Sequence, residues 1–457
     1  MWGGIDIGTA LDSKRPGAGT LVASLGPSAR MGETMNSRIS RRHLGAASLA
    51  ALALAAAPVQ AQPCTITIGI IISQTGGMGS IGAQMARSAL FAVKQVNDAG
   101  GVNGCTLRGD LRDDQTQPSV AVDQAKQLVD ISRVPVIVGS ITSAASLAML
   151  TSVTVPSKIV QMTPASSSPT FTQLAKEGKT EGRFFRTFPS DTIGAVVAAK
   201  VAYDHVFKKP VIVYVNNDYG VNLAKEFQGI FAKLGGTPTA AIPFNPGQAS
   251  YAPEVTRALA TKPEGLYMIG TPGDGTTFVR TWISQGGPQK FLFSDGMLSD
   301  KFFGDIGARY LGDAWGTRSA GLRSPTREIW QKEYDAANGP GSSTALAVDR
   351  VYDAVVITAL AIQIAGNTKP DDIRDSVRKV QNPAGEVVHA NLDGLKKALA
   401  LAKDKKPIRY EGVLGPISFD QYGDITGLFL VMKVNAEAKI TPHGAILTKD
   451  DVEKLLK

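Results

Sequence analysis

The sequence predicts an α/β protein built as two doubly wound parallel-sheet lobes. Three observations carry that reading. Beyond residue 64, apolar strand-like runs alternate with amphipathic helical runs, the pattern of a parallel sheet covered by helices on both faces. The series starts afresh near residue 190, so the unit occurs twice. The chain has 457 residues, 43% hydrophobic and 19% charged, enough for two or more full cores and unlike a disordered or collagenous chain.

The elements follow in order. Residues 65–73, 106–113, Val134–Val138 and Lys158–Met162 read as strands. Between the first two lies a helix over 80–98, where Ile81, Met85, Ala89, Val93 and Val96 share one face and Ala99-Gly100-Gly101 stops the run. Residues 118–131 form the next helix, with Val122, Ala125, Leu128 and Val129 inward. The second series runs helix 191–206, strand Pro210–Val215, helix 219–234, strand Ala240–Pro243 and a helix near 252–261. Strand Gly265–Ile269, helix 273–285 and strand Phe291–Phe293 complete it. Region 326–402 reads as strongly helical, with Leu346–Ile364 its longest piece. The tail returns to strand at Gly415–Phe419 and Gly427–Val434, with a turn at Gly423.

The N-terminus reads as a targeting segment. Residues 35–61 combine a basic start, an Ala/Leu-rich run to Ala57, and Val59 and Ala61 at the small-residue positions before a cleavage site at Gln62. Arg41-Arg42 resembles a twin-arginine signal; an ordinary secretory signal with two arginines is the alternative. The apolar run is too short to anchor in a bilayer, and no other segment is long and apolar enough to span one. Residues 1–34 precede a plausible start at Met35. The expectation is a periplasmic protein.

Removing residues 1–61 changes the charge argument. The whole chain has 48 basic and 40 acidic residues, for a net charge of +8. The removed segment holds six basic and three acidic residues, leaving +5. The remaining basic residues are scattered and no aromatics interleave with them, so nucleic acid is not expected as a partner. Export also sets the redox compartment. Cys64 and Cys105 each precede a strand, and neighbouring strands would place them at one end of a sheet. A disulfide there closes a loop of about 40 residues and contributes roughly 4 kcal/mol. Two free thiols are the alternative.

In open α/β sheets, ligands sit beyond the carboxyl ends of the strands. The loops there are therefore the candidates. Gly77, Gly79 and Gly82 fit the G-x-G-x-x-G dinucleotide spacing after the first strand. The acidic residues that should follow about 20 positions on, Asp113 and Asp114, instead lie 31 and 32 residues after Gly82. A flexible turn facing the cleft is the better reading. An exported NAD(P)-dependent oxidoreductase is the alternative. The loops Gly139–Ala145 and Thr163–Pro169 offer small hydroxyls and amides suited to an anion, against a plainer reading as caps and turns. Tyr219 opens a helix after a strand, and Asp295 is a carboxylate at a strand end suited to an ammonium group. A helix-start tyrosine and a turn aspartate are the plainer readings. No G-x-S-x-G elbow, H-E-x-x-H or Walker sequence occurs, and the histidines are unpaired at metal spacing. No enzyme activity, metal or cofactor is expected.

Ile70–Gly82, Asn97–Gly104 and Asp113–Pro118 resemble the periplasmic receptors of branched-chain amino acid ABC transporters. Thr163–Pro169, Phe185–Asp191, Asn216–Gly220 and Gly415–Asp424 continue the likeness in the right order over nearly all of 64–434. The resemblance implies a type I periplasmic binding protein with a three-stranded hinge, crossing near Thr187, Gly316–Ser319 and Tyr410–Gly415. Residues 62–187 and 319–414 then form lobe 1, and 188–318 and 415–457 lobe 2. It implies that Ser143, Ala165 and Ser167 hold a ligand carboxylate, with Ser166 beside them in the binding loop, that Asp295 holds an ammonium, and that Tyr219 closes over the ligand. Ile81 stands where an aromatic is frequent, and Thr271 in a loop that often supplies a tyrosine. Those departures leave open amino acids, aromatic acids and amides as ligands. The implied function is a monomeric receptor delivering a small ligand to an ABC permease, with a sensor feeding a regulator as a further alternative.

Overall fold

The computed structural model describes residues 64–444 together with Leu447, Asp451 and Lys454. The expected signal over 35–61 and the extension before it lie outside these residues. Among the described residues, no helix is long and apolar enough to cross a membrane.

The first lobe opens with β1 (Thr65–Ile72), α1 (Gly79–Asp98), β2 (Thr106–Asp113), α2 (Pro118–Asp130), β3 (Val136–Gly139) and α3 (Ser143–Met149). It continues through β4 (Val160–Thr163), α4 (Thr170–Lys176) and β5 (Phe184–Arg186). The five strands form a parallel sheet in the order β2-β1-β3-β4-β5. Strand β1 is apolar on both faces because both faces are covered. Ile66, Ile68, Ile70 and Ile72 enter one core, while Ile71 packs with Leu128 of α2 and Met149 of α3 in another. At Gly69 a Cβ would lie 2.8 Å from the Leu128 side chain, so glycine lets α2 settle on the sheet.

The second lobe begins at α5 (Asp191–Val201), β6 (Val211–Val215), α6 (Asp218–Lys233), β7 (Ala240–Phe244) and α7 (Ala252–Ala260). Strand β8 (Leu266–Ile269), α8 (Pro272–Ser284), β9 (Lys290–Phe293), α9 (Asp300–Ile306) and β10 (Asp313–Ala320) follow. The chain then returns to the first lobe with α10 (Pro325–Asn338), α11 (Val348–Ala365) and α12 (Pro370–Val377). Trp330, Tyr334 and almost the whole of α11 lie in the same core as β1 and α1. A small sheet follows, of β11 (Glu386–His389), β12 (Ile408–Gly412) and β13 (Gly415–Pro416), with α13 (Leu392–Lys403) connecting β11 to β12. Finally β14 (Leu428–Val434) and β15 (Ile440–Pro442) join the second sheet, in the order β15-β14-β10-β9-β8-β6-β7. Within it, β7 through β10 are parallel, and β14 pairs antiparallel with β10.

Several short elements were not expected. Strand β11 interrupts the region read as helical, because its four residues are too few to show a period. Strand β10 stays in the second sheet to Ala320, past the expected crossing at Gly316–Ser319. Ile417, Phe419 and Ile425 still pack on the first lobe's core, so the last crossing follows Ile425 rather than Gly415. Cys64 and Cys105 are bonded to each other. They flank the paired strand starts Thr65 and Thr106, which fix their proximity.

Candidate functional site

The carboxyl ends of the two parallel sheets face each other across a cavity of about 470 Å³. That lies within the range of small-molecule sites. The first lobe supplies Ile81 after β1, Ser143 after β3, and Ala165 and Ser167 after β4. The second supplies Tyr219 after β6, Thr271 after β8 and Asp295 after β9. Seven of the eight residues singled out in the sequence thus come together. Ser166 does not line the cavity. Its hydroxyl is turned into the lobe, where it donates to Ser146 Oγ (2.8 Å), and its N–H donates to Thr163 Oγ1 (3.1 Å). It braces the β4 loop.

The hydroxyls have distinct duties. Ser143 Oγ accepts from the Ser168 N–H (3.2 Å), which leaves its own hydrogen free to donate. Ser167 Oγ donates to Asp191 Oδ2 (3.0 Å), at the first turn of α5, so that hydroxyl ties the β4 loop to the crossing segment. Tyr219 OH donates to Asp295 Oδ1 (2.8 Å), and the Gly296 N–H donates to the same oxygen (2.7 Å). The Asp295 N–H also favours the charged carboxylate, and neither Tyr219 nor Gly296 reaches Oδ2.

Charge in the cavity is one-sided. Asp274 and Asp295 line it, and no Lys, Arg or His does. Asp274 is already satisfied by Tyr251 OH (2.7 Å), the Gly247 N–H (2.8 Å) and Thr271 Oγ1 (3.0 Å). Burial pushes the Asp295 carboxyl above the ordinary aspartate range, although Tyr219 and Gly296 favour its charged form. Asp191 is pushed well above that range by burial and by the charge of Asp295. Tyr219 stays protonated because burial, then Asp295, raises its hydroxyl. Arg350 and Arg186 draw Asp295 and Asp191 toward their charged forms, but neither arginine lines the cavity, so a positive or donor group in the ligand would complement the carboxylate that does.

The two lobes touch around this cavity. A Cβ on Gly77 would lie 2.6 Å from Thr271 Oγ1, and one on Gly273 would lie 3.0 Å from Gly77 Cα. Further along, Thr170 Oγ1 donates to Asp218 Oδ1 (2.7 Å) and Asn222 Nδ2 to Ser168 Oγ (3.3 Å). These contacts also account for the glycine-rich loop. Gly77 faces the opposite lobe, and Gly82 lets α1 lie against β1, where a Cβ would come 1.8 Å from the Ser73 carbonyl. Asp113 accepts from the Gln74, Thr75 and Gln115 N–H groups at Oδ1 and from the Thr75 hydroxyl at Oδ2, so its carboxylate is spent mainly on tying the first loop to the end of β2. The dinucleotide reading does not fit this loop.

Other lining residues escaped the sequence reading. Gln115 and Thr116 follow β2, and Asp274 follows β8, so the strand-end rule applied evenly would have found them. Leu346 and Ala347 precede α11, where Ala347 is left-handed with φ 58°. Nothing local in the sequence marks them.

A two-lobed α/β receptor, with its ligand cavity at the facing strand ends, is the class that fold and site define. The chain belongs to the periplasmic binding protein family, whose description it matches over residues 65–435. A substrate-binding protein of a chemotactic signal transduction system from Halobacterium salinarum is 24% identical over 361 residues, 78% of this chain and 83% of the relative. The leucine binding protein of Thermotoga maritima superposes with a TM-score of 0.70 at 22% identity, covering 84% of this chain and 99% of that one. An ABC transporter solute binding protein from R. palustris, solved in complex with 4-hydroxybenzoate, gives 0.68 at 17%, covering 85% and 98%. Members of the family are binding proteins, and these neighbours share the fold.

Proposed function

We propose that this protein is a monomeric periplasmic receptor that captures a small α-amino acid between its lobes and delivers it to an ABC permease. The observation that carries the reading is Asp295. Its Oδ1 is held by Tyr219 and Gly296, neither of which reaches its Oδ2, in a cavity without a basic side chain. An ammonium on Asp295 places the ligand carboxylate toward the Ser143 hydroxyl and the β4 loop at Ala165 of the first lobe. Ile81 and Met85 supply an apolar wall for the side chain. Binding then joins the lobes across the Gly77–Thr271 contact, with bending at the three chain crossings. The neighbours named as a leucine binding protein and as an ABC transporter component support the ligand and the transport role. The relative from a chemotactic system supports the same capture cycle feeding a sensor instead.

Calorimetric titration with aliphatic amino acids and with aromatic acids lacking an amine tests the ligand class. Tight binding of an amino acid, lost on deleting its amine, is expected. Preference for an amine-free acid would overturn the assignment to Asp295. Co-purification with a permease complex, rather than with a receptor kinase, tests the transport role.

A further inference from the structure

A second and larger cavity, about 1040 Å³, lies between the lobes beside the chain crossings. Ile81 and Leu346 line both cavities and so form the partition between them. The chemistry on its walls is the reverse of the first. Arg87 of α1, Arg323 just before α10 and Arg327 in its first turn line it from the first lobe. Lys301 of α9 and Arg318 of β10 line it from the second. Against these five cations stand Asp300 and Asp349 in the lining, and Asp305, which pairs with Lys301 (2.8 Å) at the exposed rim and leaves that ammonium two further hydrogens to donate.

Asp349 does not cancel the excess. It is shared between Arg327 (2.9 Å) and Arg350 (2.8 Å). The nearby guanidiniums hold it well below the usual carboxylate range despite its burial. Among the described residues, Arg318 has only the Ala345 carbonyl as a hydrogen-bond partner (3.2 Å). Arg87 and Arg323 are exposed and have no ion-pair or hydrogen-bond partner among the described residues. Ser319 also lines the cavity and is 1% exposed, yet its hydroxyl has no partner among the described residues. Cations gathered from two lobes, with donors left over, form a site for a multivalent anion.

We propose that this cavity binds a small multivalent carboxylate or phosphate anion that bridges the two lobes. An anion held by Arg87 and Arg323 on one side and by Lys301 and Arg318 on the other favours the joined form. Linkage then makes it tighten binding in the neighbouring cavity. That consequence rests on the capture reading above, whereas anion binding itself does not.

The test is calorimetric titration of the purified protein with citrate, and separately with inorganic pyrophosphate, at ionic strength held constant with NaCl and without any amino acid. Saturable binding of at least one is expected, and which one binds identifies carboxylate or phosphate as the source. The double variant Arg87→Gln/Arg323→Gln and the single variant Lys301→Gln should each weaken it by about tenfold, the loss expected for charge-assisted contacts. All three side chains are at the surface, and unchanged melting of the variants checks that they fold. No saturable binding, or equal binding by wild type and variants, overturns the site. Loss in the double variant with none in Lys301→Gln overturns the bridge between lobes.

Discussion

Replacing Asp295 with asparagine removes one charge from the candidate cavity and little else. The asparagine oxygen still accepts from Tyr219 OH and the Gly296 N–H, which now reach Oδ1 at 2.8 and 2.7 Å. An ammonium about 3 Å from the lost oxygen carries an attraction of roughly 5 kcal/mol at an effective dielectric constant near 20. Truncating a buried, hydrogen-bonded charge pair costs about 2–5 kcal/mol in practice. Amino-acid affinity should therefore fall by about thirtyfold to several thousandfold. The pH dependence follows from the raised carboxyl. Protonation turns Asp295 from an acceptor of ammonium into a neutral acid. Affinity of the wild type should then decline as pH falls toward a value above the ordinary aspartate range, and Asp295→Asn should not share that decline. Calorimetry at pH 5 and pH 7.5 on both proteins measures each effect. Equal affinity of the two for an amino acid would refute the reasoning.

Three other outcomes follow from the structure. Gly77→Ala forces a methyl against Thr271 Oγ1, which Asp274 holds in place. Overpacking of about 1–3 kcal/mol should weaken ligand binding by roughly fivefold to a hundredfold, with little change in ligand-free melting; an unaltered affinity removes this contact from the closing interface. Cys105→Ala opens a cross-link between residues 41 apart and should lower stability by about 4 kcal/mol in the chain-entropy model, read by urea unfolding. No loss would mean that the strand pairing alone holds this corner. Asp353 accepts from Tyr410 OH (2.8 Å) and from the Val413 (3.0 Å) and Leu414 (2.9 Å) N–H groups, and burial pushes it up to about 7. A carboxyl raised in the folded chain contributes its stability in full below its unfolded value of 3.8 and loses it as pH rises through about 7. The loss is at most about 4 kcal/mol, and Asp353→Asn should flatten it; parallel pH profiles for the two proteins would count against this account.

Most of the fold was legible in the chain because buried parallel strands and amphipathic helices write long, distinct periods. The helix at Gly79–Asp98 and the strand at Thr106–Asp113 are examples. Short strands such as Glu386–His389 carry no such period, and their pairing with Ile408–Gly412 comes from a distant segment. The strand-end rule located Tyr219, Asp295 and the loops after β3 and β4, and the family resemblance singled out Ser143, Ala165 and Ser167 within those loops. Both missed Ser166's inward turn, because neighbouring serines in one loop differ only in side-chain direction.

By itself, the sequence determined the alternation of elements and the loops that could meet a ligand. These depend on local propensity and on residue order. Only the tertiary structure decided which partner each polar group takes. It tied Asp295 Oδ1 to Tyr219, placed Gly77 against Thr271 and gathered Arg87, Arg318 and Arg323 beside a second cavity. Those relations join residues far apart in the chain, and charge and close packing act through space rather than along the backbone.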